Sequence, residues 1–100
     1  MADIIDELIE NVEERKKYVD EIVEMHFNGK TEFSDDDIQK FIKISNKKFN
    51  LDSNIITFED VKQKKGDEGD KYVSISYDNL LDVSKYLLLA TKDQIDLNQL

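Results

Sequence analysis

The 100-residue chain has no cysteine, no proline and no tryptophan, three glycines, one histidine and one arginine. Without cysteine there is no disulfide, no thiolate nucleophile and no zinc site of the cysteine type, and the composition suits a reducing compartment. Apolar runs are short. The longest, Tyr86 to Ala90, falls far below the ~20 residues of a membrane-spanning helix. The opening Met-Ala-Asp-Ile-Ile-Asp has neither the basic region nor the apolar stretch of a secretory leader, so a cytoplasmic location is expected. No G-x-G-x-x-G, P-loop, H-E-x-x-H or EF-hand pattern occurs, and the serines have no surrounding motif. His26, near a helix end, suits packing or capping better than catalysis. Asp52-Ser53-Asn54 starts like a calcium loop but lacks the glycine and the closing glutamate. The expectation is a non-enzymatic protein with no cofactor and no metal.

What the chain does have is negative charge, a net of −9 with 37% charged residues against the usual ~25%. Such a surface repels nucleic acid and anionic membranes and attracts basic partners. The charge is uneven. Residues 1–28 hold nine acids against Arg15, Lys16 and Lys17, whereas residues 29–50 hold five lysines against four acids. At 39% hydrophobic, with four Tyr and five Phe, the chain can build one core, and a single small α+β domain is expected.

Apolar spacing predicts one long helix over residues 1–28, clearest from Ile4 to Phe27. With Ile5 at heptad position a, the a and d positions read Ile5, Leu8, Val12, Arg15, Val19, Ile22 and His26. Arg15 is then a flaw in the seam. Asp3, Asp6, Glu7, Glu10, Glu13, Glu14, Asp20, Glu21 and Glu24 fall at b, c or f, facing away from it and free of core contacts. Asn28-Gly29 ends the helix. A second helix is expected over 34–49. Ser34 caps it with Asp37 at N3, Phe33 staples onto Ile38, and Ile38, Phe41, Ile42, Ser45 and Phe49 face inward. Asp35, Asp36 and Asp37 diverge by ~100° per step, so they suit the helix start and not a metal.

Over 55–77 the expected structure is a β-hairpin. Ile55-Ile56-Thr57-Phe58 and Tyr72 to Tyr77 form its strands, and Lys64 to Asp70 a mobile tip. A short helix over 58–65 competes, with Thr57 as cap, Asp60 at N3 and Gly66 as stop. Asp78 caps a third helix over 78–90, and 91–100 forms a tail or short helix. Val19, Ile22, Phe41, Ile42, Leu81, Leu87 and Leu88 are expected in the core. The helix–helix–hairpin order resembles a winged helix, but the only basic stripe (Lys40, Lys43, Lys47, Lys48) is too weak for a nucleic-acid reader.

Nine carboxylates over 21 helical steps give about one charge per 3.5 Å of axis, close to the one phosphate per ~3.4 Å of one DNA strand. Small size, acidity and absence of catalytic chemistry resemble phage-encoded inhibitors such as DNA mimics and anti-CRISPR proteins. That resemblance implies a monomer or weak homodimer whose acidic face binds a basic nucleic-acid-binding protein, of the nuclease or CRISPR-effector type. It implies no direct contact with nucleic acid or membrane. Two other readings stand beside it: a regulatory or adaptor homodimer paired along the helical seam, and an antitoxin or immunity protein capping a basic toxin.

Overall fold

Asn11 interrupts the first helix. A computed structural model describes residues 2–66 and 74–98, with α1 over Ala2–Glu10 and α2 over Val12–Phe27. Asn11 is extended (φ −105°, ψ 107°), and its Oδ1 accepts the N–H groups of Glu13 at 3.0 Å and Glu14 at 3.2 Å. It therefore caps α2. The last carbonyls of α1 would lack partners, and Arg15 supplies them. Its Nη1 donates to the carbonyls of Leu8 (3.0 Å) and Ile9 (2.7 Å). The expected single helix over 1–28 is thus corrected to two, and Arg15 is the cap of the first.

Arg15→Met keeps the aliphatic stem and removes the donor. It should cost about 1–3 kcal/mol, the range for hydrogen bonds to charged groups. The lower half of that range is favoured, because Nε is buried without an acceptor. Amide exchange in α1 should accelerate ahead of α2; unchanged protection of α1 would show that the guanidinium does not hold it.

The seam packs inside the chain. Ile5, Leu8, Val19 and Ile22 are buried against the rest of the domain. Val12 and His26, expected on the same seam, are exposed, whereas Val23 and Phe27 are buried. Val12 follows the break at Asn11, which re-aims α2, and along α2 itself a straight helix drifts from a seven-residue repeat by ~20° per heptad.

Helix α3, Asp35–Lys48, forms as the capping residues require. Ser34 Oγ accepts the Asp37 N–H, and the Asp37 carboxylate accepts the Ser34 N–H at 3.0 Å. Ile38, Phe41, Ile42 and Ser45 are buried and Phe49 is half-buried.

The hairpin over 55–77 is corrected. Residues 58–65 form α4, Phe58–Lys65, by the competing signals: Thr57 and Asp60 make a capping box, and Gly66 ends the helix at φ 90°. Residues 55 and 56 form a bend, Thr57 is the cap and Phe58 already belongs to α4, so 55–58 is not a strand. Residues 67–70 of the expected tip, and Tyr72 and Val73 of the second strand, lie outside the described residues. Ile75–Ser76 is indeed a strand (β2), but it pairs antiparallel with Glu32–Phe33 (β1), in register Glu32↔Ser76 and Phe33↔Ile75. Phe33 and Ile75 point inward, and Ser74 Oγ donates to Glu32 Oε2 at 2.8 Å on the outer side.

Helix α5 runs Tyr77–Asn98. Ser76, not Asp78, caps it, its Oγ accepting the Asn79 N–H at 3.3 Å. The helix continues through the expected stop at 90, since no glycine or proline breaks it and Thr91 satisfies its buried hydroxyl on the Leu87 carbonyl at 2.8 Å. Most of the expected tail is therefore helix. Leu80, Val83, Leu87 and Leu88 are buried; Leu81, expected in the core, lies half-buried at its edge.

Helix α5 touches all four other helices and both strands. The result is one small helix-dominated domain, 38 × 29 × 22 Å, with five helices and one two-stranded sheet among the described residues. None of these helices is long and apolar enough to cross a membrane.

Candidate functional site

The break at Asn11 divides the acidic stripe into two short segments. Around the elbow, Glu7 Oε1 accepts from Asn11 Nδ2 at 3.3 Å, and Glu13 and Glu14 open α2. Glu14 meets Lys17 at 3.4 Å, an exposed pair of little energetic weight. Glu10 is the last residue of α1 and is exposed. Of Asp3 only the backbone, within α1, is described.

Three of the nine carboxylates hold elements together. Asp6 accepts from Lys92 Nζ on α5 at 2.6 Å, and this bond raises the Lys92 pKa above its usual value. Asp20 accepts from the hydroxyl of Tyr77 on α5. Burial, and then this bond to a carboxylate, raise the Tyr77 pKa. Glu21 pairs with Lys48 on α3 at 3.2 Å. Those partners lie 86, 57 and 27 residues away in sequence, beyond the reach of any local pattern. Glu24 is exposed on α2, its carboxylate beside Gly29. Among the described residues no lysine or arginine pairs with Glu7, Glu10, Glu13 or Glu24.

Elsewhere the charged groups behave as local structure requires. Asp37 accepts from Lys30 Nζ at 2.8 Å, and this bond lowers its carboxyl pKa more than the cap does. His26 is exposed, and its carbonyl accepts from Lys40 Nζ at 3.3 Å. Among the described residues no three His, Asp or Glu groups converge as a metal site would need.

Tyr18 sits beneath the acidic face, its hydroxyl 2.6 Å from Ser45 Oγ. Burial pushes its pKa up to about 12; the Ser45 bond opposes the shift and the Glu21 charge adds to it. In the unfolded chain Tyr titrates near 10. Below pH ~10 both states keep the proton, and above it the unfolded chain loses the proton first. Stability should therefore fall between pH 10 and about 12, and Tyr18→Phe should make that fall shallower. Urea midpoints across this window measure it; equal slopes in both proteins would rule out Tyr18 as a contributor.

Comparison with protein-family models, curated proteins and solved structures finds no match to this chain.

Proposed function

We propose that the chain is a non-catalytic binding protein whose outward carboxylates on α1 and α2 occupy the basic, nucleic-acid-binding surface of a target protein such as a nuclease or CRISPR effector. One observation carries this reading: Glu7, Glu10, Glu13 and Glu24 face outward with no cation paired to them among the described residues. Glu7 and Glu10 also lie in the last turn of α1, where the helix dipole disfavours negative charge. Helix stability does not account for Glu10, while Glu7 has one local bond, from Asn11 Nδ2. The elbow shortens the reach of the mimicry from a continuous rod to a compact acidic corner, which suits a short basic groove better than a long channel.

The test is a binding assay of the wild-type chain and the triple variant Glu10→Lys, Glu13→Lys, Glu24→Lys against a panel of DNA nucleases and RNA-guided effectors. All three positions are exposed, so the fold should survive. The wild type should bind one target, weaken as salt rises because exposed charges are screened, and be displaced by excess duplex DNA. The variant should lose at least about tenfold in affinity, the equivalent of ~1.4 kcal/mol, whereas Lys40→Glu, Lys43→Glu, Lys47→Glu should change little. Equal affinity of wild type and acidic-face variant would sink the proposal.

A further inference from the structure

Between α1 and the end of α3 lies an apolar pocket of about 340 Å³, at the small end of the ~300–1,000 Å³ typical of ligand sites. Leu8, Tyr18, Phe49 and Ile95 contribute to its walls. The Tyr18 and Phe49 rings are 5.9 Å apart, and the Tyr18 hydroxyl is already engaged by Ser45. Ile4 lies at the rim, 65% exposed. In a chain of net charge −9, the one charged residue among the described residues that line this pocket is a cation, Lys48.

Lys48 Nζ donates to Glu21 Oε1 at 3.2 Å. An ammonium has three donors, so this bond leaves others for a ligand. Three carbonyls in the last turn of α3 nearby are already engaged. Those of Ser45, Asn46 and Lys47 accept the N–H groups of Phe49, Leu51 and Asn50.

We infer that this pocket binds a medium-chain aliphatic carboxylate, its chain against Leu8, Tyr18, Phe49 and Ile95 and its head on Lys48. The small volume favours a chain of medium length over a long one. An eight-carbon acid is a chain of that kind, and each buried methylene adds to its binding.

Octanoate, octanol and octylamine titrated into the full ¹⁵N-labelled chain test the assignment. Octanoate should give saturable amide shifts in Ile4 to Leu8, in Lys48 to Asn50 and at Ile95. It should bind about tenfold tighter than octanol, as a charge-assisted hydrogen bond predicts, and octylamine should bind weakest. Lys48→Met should bring octanoate down to the affinity of octanol and leave octanol unchanged. Ile4→Glu, a change at an exposed position, should abolish octanoate binding by placing a like charge at the rim. Equal binding of octanoate and octanol, indifference to Lys48→Met, or unsaturating shifts scattered over the surface would each overturn the inference.

Discussion

Replacing Leu87 with Ala should lower the free energy of unfolding by about 2–5 kcal/mol, the cost of deleting a fully buried leucine and leaving a cavity. Leu87 is 0% exposed and belongs to the cluster that joins α2, α3, α4 and both strands to α5. Domains of this kind have total stabilities of about 5–15 kcal/mol, so the substitution consumes a large share. Each kilocalorie moves the melting midpoint by about 4–8 °C in a chain this long. Leu97, on the same helix but 61% exposed, provides the control; Leu97→Ala should stay within about half a kilocalorie. A loss that small at Leu87 would show that α5 is not the centre of the fold.

A second large effect is expected at Asn46, which is 1% exposed. Its Nδ2 donates to the carbonyls of Ser53 at 2.9 Å and Ile56 at 3.0 Å, so one amide holds the irregular segment between α3 and α4. Asn46→Leu keeps the branched outline of the side chain and removes both donors. Each stranded acceptor costs ~1–3 kcal/mol, and removing the buried Oδ1, which has no partner, returns part of that. A net loss of about 2–4 kcal/mol is expected from these opposing effects. Urea denaturation measures the loss, and amide exchange should show α4 loosening first. Wild-type stability in Asn46→Leu would mean that apolar packing alone positions the segment.

The sequence signals that held were those with a short-range mechanism. Ser34 with Asp37, and Thr57 with Asp60 and Gly66, satisfy backbone groups within one turn and do not depend on the rest of the molecule. At 55–58 the pull of Ile55, Ile56 and Thr57 toward a strand competed with such a cap and lost, because strand preference depends on a neighbouring strand to pack against. The neighbour of Ile75–Ser76 is Glu32–Phe33, some 42 residues away, which local alternation cannot name. Asn11 was hidden by apolar spacing that continues on both sides of it. Its reading as a cap depends on Arg15 folding back onto Leu8 and Ile9. In the candidate site the carboxylates themselves were legible, but their division into internal ties (Asp6, Asp20, Glu21) and unpaired groups follows from the tertiary positions of Lys92, Tyr77 and Lys48.

The bond between Asp6 and Lys92 spans 86 residues, and this bears on how the chain is made. Helix α1 leaves the ribosome before the stretch of α5 against which it docks, which follows 86 residues later. At roughly 5–20 residues per second, the ribosome needs about 4–17 s to bridge that interval. Ile5 and Leu8, buried in the finished protein, have no seat on α5 during that time. Asp6, Glu7 and Glu10 flank them in sequence, and like charges beside an apolar segment keep nascent chains from associating through it. Until α5 arrives Asp6 has no Lys92 to hold it, and once formed the pair fixes α1 against α5.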